Sequence, residues 1–112
     1  MSKLWLIEEA DGAKSADQLW ALLGHHVRRS ILHFMAERGA PVSPGELAPE
    51  LRVGRQRLRL SDLSYHFRFL AREGALDLVA EEPVGGSTKH LYSINPQFMA
   101  QPLVAALVAG LL

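Results

Sequence analysis

Arginine recurs through Arg52-Val53-Gly54-Arg55-Gln56-Arg57-Leu58-Arg59, and no acidic residue interrupts the segment. Guanidinium groups are planar and permanently charged, and they hold phosphate oxygens through paired N–H donors. Directly downstream, Ser61, Ser64, Tyr65, His66, Arg68 and Arg72 supply hydroxyl, imidazole and guanidinium groups. Such side chains hydrogen-bond to base edges or to a sugar-phosphate backbone when one helix face presents them together. Further along, Ser87, Thr88 and Lys89 follow Gly85-Gly86 and form a small polar, cationic tip.

Other chemistries lack their parts. The pair His25-His26 suggests a metal, but adjacent helical residues point about 100° apart and do not converge on one ion as an i, i+4 pair does. After Pro96 there is no His, Asp or Glu at all. Cysteine is absent from the chain, which removes disulfides, thiolate metal sites and thiol redox sensing together. No nucleophile stands beside a base and an orienting group, and Gly85-Gly86 lacks the flanking pattern of a phosphate-binding loop. The expectation is therefore no enzyme, no metal and no cofactor.

The 112 residues are 48% hydrophobic, enough for one modest core and a single domain over 1–112. Lys plus Arg number 12 and Asp plus Glu number 12, so attraction to a polyanion depends on where the charges sit rather than on their sum. Leu4-Trp5-Leu6-Ile7 runs straight into Glu8-Glu9, unlike a signal peptide. The apolar run from Leu103 to Leu112 is half the ~20 residues that a membrane helix requires. No membrane partner is expected, and the cytoplasm is the expected compartment.

Five helices and a hairpin follow from the pattern. Ser15 caps a first helix through Leu19, Trp20, Leu22 and Leu23, which breaks at Gly24. Val27, Ile31, Phe34 and Met35 mark one face of a second helix, His25 to Arg38, closed by Gly39. Ser43-Pro44-Gly45-Glu46 is a capping box with proline at the first helical position, opening a third helix that ends near Leu51. Arg52 to Arg59 reads as a basic turn. A fourth helix, from about Ser61 to Glu73, buries Leu63, Phe67 and Leu70 and presents Ser61, Tyr65, Arg68 and Arg72, with Ser64 and Phe69 on its margins. Leu76 to Glu82 and Lys89 to Ile94 read as strands joined by a turn over residues 83–88, and a last helix spans about Phe98 to Leu112, with Pro102 near its start.

The order helix, helix, helix, helix, hairpin, helix resembles the ArsR/SmtB-like winged helix-turn-helix repressors. Three stretches carry the resemblance: Leu22 to Leu32, like that family's second-helix opening; Leu63 to Gly74, like its recognition helix; and Pro83 to Tyr92, like its wing. The likeness covers about residues 16–94 and implies a mainly α fold with a small β-hairpin, and a DNA-binding core. Residues 52–60 lengthen the turn before the recognition helix, so the setting of that helix is what the likeness does not carry over.

On this basis Ser61, Ser64, Tyr65, His66, Arg68 and Arg72 are expected at the bases or their phosphates, with Arg68 suited to a guanine edge. Arg52, Arg55, Arg57 and Arg59 are expected at phosphates, and Ser87, Thr88 and Lys89 at an adjacent groove or backbone. Segments 1–14 and 98–112, through Trp5, Leu6, Trp20, Leu103, Leu107 and Leu111, are expected to make a homodimer, because an apolar terminal helix needs a covering surface. The expected function is a homodimeric, sequence-specific regulator of transcription that binds double-stranded DNA. Repression is expected because the chain is too short for a separate activating module. The alternative is a winged-helix protein-interaction module within a larger assembly.

Overall fold

The computed structural model describes residues 14–53 and 55–110. Trp5, Leu6 and Leu111 of the expected dimer contact lie outside the described residues. Among those described there are six helices and two antiparallel two-stranded sheets, and no helix is long and apolar enough to cross a membrane.

Helix α1 (Ala16–Leu23) opens with a reciprocal capping box, in which Gln18 N–H donates to Ser15 Oγ and Ser15 N–H donates to Gln18 Oε1. It stops at Gly24, whose N–H donates to the Trp20 carbonyl at 2.7 Å; a Cβ there would stand 2.6 Å from the same oxygen. Helix α2 (His26–Arg38) starts one residue later than expected, because His25 is its extended N-cap and accepts the Val27 N–H on Nδ1. Helix α3 (Pro44–Leu47) has the expected Ser43/Glu46 capping box but lasts only one turn.

The basic segment is not an irregular turn. Strands β1 (Arg52–Val53) and β2 (Gln56–Arg57) pair with Arg52 opposite Arg57, so the added residues fold back as a minute hairpin. Helix α4 (Leu60–Arg72) follows at once. Strands β3 (Leu76–Val84) and β4 (Ser87–Ile94) are longer than expected, since the turn consumes only Gly85 and Gly86. Both glycines have positive φ, 51° and 87°, the condition for a tight two-residue turn whose twist matches its strands. Val79 is an extra residue between the Leu78–Tyr92 and Ala80–Leu91 pairs, and this bulge turns it outward.

The expected C-terminal helix is two helices, α5 (Pro96–Met99) and α6 (Pro102–Ala109). Pro102 disfavours helical backbone at the preceding residue, and Gln101 is accordingly extended, with ψ of 125°. Helix α6 folds back onto the α1–α2 pair, and Val104, Leu107 and Val108 are buried in the core. The centre of that core is Phe67, fully buried, with its ring 5.3 Å from that of Tyr92. Tyr92 also anchors the hairpin: its backbone exchanges two 2.9 Å hydrogen bonds with Val42, which fixes the base of β4 beside the start of α3.

Candidate nucleic-acid interface

Helix α4 divides cleanly. Leu63, Phe67 and Leu70 are fully buried, at spacings that make one stripe, whereas Ser61, Tyr65, Arg68 and Arg72 are exposed and Ser64 is half-buried. Its N-cap, Arg59, offers no side-chain acceptor to the first turn. The Asp62 and Leu63 N–H groups of that turn donate to the Arg59 carbonyl, and the Asp62 carboxylate stands in the same turn. Arg59 itself pairs with Asp62, Nε to Oδ2 at 3.3 Å, while remaining largely exposed. Arg52, Arg55 and Arg57 are exposed on the minute hairpin directly before α4, and among the described residues no carboxylate lies within ion-pair distance of them or of Arg68.

A groove of about 480 Å³ runs between the start of α3, α4 and the turn end of the hairpin. It brings together Ser64, Arg68, Ser87, Thr88 and Lys89 from widely separated parts of the chain. Ser61, Tyr65 and Arg72 stand on α4 outside this groove, and Arg72 leans over the Phe69 ring, its guanidinium carbon 5.2 Å from the ring centre. The groove floor includes Tyr92, whose phenol burial pushes upward from its ordinary range, with Arg68 opposing that shift. A larger, more open depression of about 810 Å³ between α2 and the end of α6 holds only Leu107 of the expected site residues.

Three expectations change. His66 is not on the exposed face: it is 9% exposed and its Nδ1 accepts from Arg28 Nε at 3.4 Å. Its position three residues after Leu63 and one before Phe67 puts it on the buried arc. Lys89 is not a free cation of the turn, because its Nζ lies 3.1 Å from Glu46 Oε2 and 4.0 Å from Glu82 Oε1. Glu46 is thereby held below the ordinary glutamate range, first by the Ser43 backbone N–H and then by Lys89. Leu107 is buried within its own chain, and Leu103 is partly buried against the same core, so among the described residues of the expected dimer set Trp20, 63% exposed, is the open apolar one.

Sequence reasoning missed Leu60, Glu46, Val84 and His90 as groove-lining residues, and Arg28 as a buried support of α4. Arg28 was detectable: Ile31, Leu32 and Met35, at i+3, i+4 and i+7 from it, are all buried. The histidine pair also has a local explanation. His25 precedes the helix, its ring stacks on His26 at 5.4 Å, and its Nδ1 is occupied by the Val27 N–H. Among the described residues no three His, Asp or Glu side chains converge as metal ligands would. Comparison of the chain with family models, with curated proteins and with solved structures gave no match to any of them.

Proposed function

We propose that the chain is a winged helix-turn-helix protein of the ArsR/SmtB-like kind that binds double-stranded DNA as a homodimer in the cytoplasm and regulates transcription as a repressor. One observation carries the proposal: Ser64 and Arg68 of α4 share a single groove with Ser87 and Thr88 of the hairpin, and unpaired arginines of β1–β2 lie directly before the same helix. A major groove accepts an α-helix, and a hairpin beside it meets the neighbouring backbone. Phosphate contacts by Arg52, Arg55 and Arg57 supply affinity without sequence preference, whereas Arg68 reads a base edge. A twofold copy would present two α4 helices to successive major grooves, about 34 Å apart, and so match an inverted repeat.

The test is fluorescence anisotropy with labelled duplexes at several salt concentrations. The wild-type protein binds random duplex at low salt, with affinity falling steeply as salt rises. Arg57→Ala weakens every sequence alike, whereas Arg68→Ala costs about 1–3 kcal/mol on a selected inverted repeat and little on random DNA. Absence of duplex binding at low salt, together with a stable complex with another protein, favours the interaction-module alternative. Trp20, Leu78, Val79 and Val84 are exposed apolar side chains that support it.

A further inference from the structure

Arg28 of α2 is a buried cation, 8% exposed, at the meeting point of three helices. Its Nη1 donates to the carbonyls of Ala21 and Leu22 at 3.4 Å each, and the neighbouring Arg29 donates to that of Leu23. Two arginines thus satisfy the open end of α1, where the helix dipole is negative. The same Arg28 guanidinium lies against the Phe69 ring of α4, its carbon 3.7 Å from the ring centre, and donates from Nε to His66 Nδ1. Among the described residues no carboxylate pairs with it. Carbonyl dipoles, a ring face and an imidazole lone pair carry the whole of its compensation.

That arrangement fixes the state of His66. Nδ1 must present a lone pair to Arg28, so the ring is neutral and carries its proton on Nε2. A proton on Nδ1 would set a donor against a donor and a cation against a cation. The other groups that face His66 give little relief: His25 stands with its ring centre 4.6 Å away, His26 adds a further titratable group from α2, Tyr65 is a neighbour on α4 itself, and Asp62 alone favours the charged form.

We propose that Arg28 and His66 are the positioning residues of α4, and that α4 takes its duplex-reading setting only while His66 is neutral. The DNA half of this proposal rests on α4 being the reading element; the coupling within the protein does not. Burial, then His25 and Arg28, hold His66 below the ordinary imidazole range. The folded state therefore binds fewer protons than the unfolded chain. The stabilisation is complete above about pH 6.5 and is lost as pH falls from there through the folded-state value.

His66→Asn keeps an acceptor near the place of Nδ1 and removes the titration. The first measurement needs no DNA: NMR follows the Arg28 Nε–H signal, the α4 backbone amides and the His66 ring from pH 7.5 down through the His66 midpoint. In the wild type all three should move with one midpoint, and in His66→Asn the α4 amides should stay still. The second measurement is duplex anisotropy over the same range. Wild-type affinity should drop by up to about tenfold per pH unit below the His66 midpoint relative to His66→Asn, the limit for uptake of one proton. Wild-type α4 amides that ignore the His66 titration, or identical pH profiles for wild type and variant, would overturn the proposal. Should the wild type show the coupled NMR titration yet bind no duplex at any pH, the coupling stands and the DNA-binding function falls.

Discussion

Glu46→Gln separates two jobs that one carboxylate performs. Its Oε1 accepts the Ser43 N–H at 3.0 Å, closing the α3 capping box, and its Oε2 holds Lys89 at 3.1 Å in the wall of the groove. Glutamine keeps an oxygen for Ser43 and loses the charge, so α3 should persist while Lys89 is released. The pair is about one-third exposed on each side, and its loss should cost only about 0–1 kcal/mol of stability. The effect on binding should be of opposite sign. One additional phosphate contact steepens the dependence of log affinity on log salt by about 0.9, so between about 50 and about 200 mM salt the variant should lose about 3.5-fold more affinity than the wild type. At the low-salt end it should bind more tightly. Anisotropy titrations of one labelled duplex at five salt concentrations give the slope directly. Glu82 remains a second partner at 4.0 Å, so Glu46→Gln/Glu82→Gln should give the full effect, and adding Lys89→Met should cancel it. An unchanged slope in both glutamine variants, with wild-type binding intact, would show that Lys89 does not face the duplex and that the hairpin end of the groove is not part of the interface.

Other outcomes follow from packing and titration. Phe67→Ala removes the fully buried centre of the core and should destabilise by about 3–5 kcal/mol in denaturant unfolding. Trp20→Ala should leave the fold intact, since the side chain is 63% exposed, but weaken self-association by about 2 kcal/mol or more in sedimentation equilibrium if Trp20 anchors the twofold contact. Because Glu46 is held below the ordinary glutamate range, its contribution to stability is present above about pH 4.3 and is lost as pH falls through its folded-state value. The melting temperature of Glu46→Gln should accordingly fall less on acidification than that of the wild type. Ser43→Ala, which removes the forward half of the same capping box, should cost about 1 kcal/mol.

Local signals were legible and distant ones were not. Ser15 and Ser43 announced helix starts because a capping box is written within four residues, and the spacing of Leu63, Phe67 and Leu70 placed the buried side of α4 without reference to the rest of the chain. His66 was misplaced because its polar type was given more weight than its spacing, although the helical period puts it on the buried arc. Its burial becomes acceptable only through Arg28, 38 residues earlier. Lys89 was misjudged for the same reason: the carboxylate that holds it is on α3 and reaches it only once Val42 and Tyr92 pair. The fold-back of residues 52–57 carries no apolar alternation, so its strands left no periodic trace. The division of the last helix was partly visible in Pro102, which constrains the residue before it.

In the proposed function the polar side of α4 and the turn of the long hairpin form one surface for duplex DNA. Backbone amide shifts recorded while a short inverted-repeat duplex is added test it residue by residue. Changes concentrated at residues 52–72 and 84–90, with α5 and α6 unaffected beyond what dimerisation causes, are the predicted result. A saturable complex whose changes fall on α1 and α6 while Ser64, Arg68 and Thr88 stay fixed would contradict it.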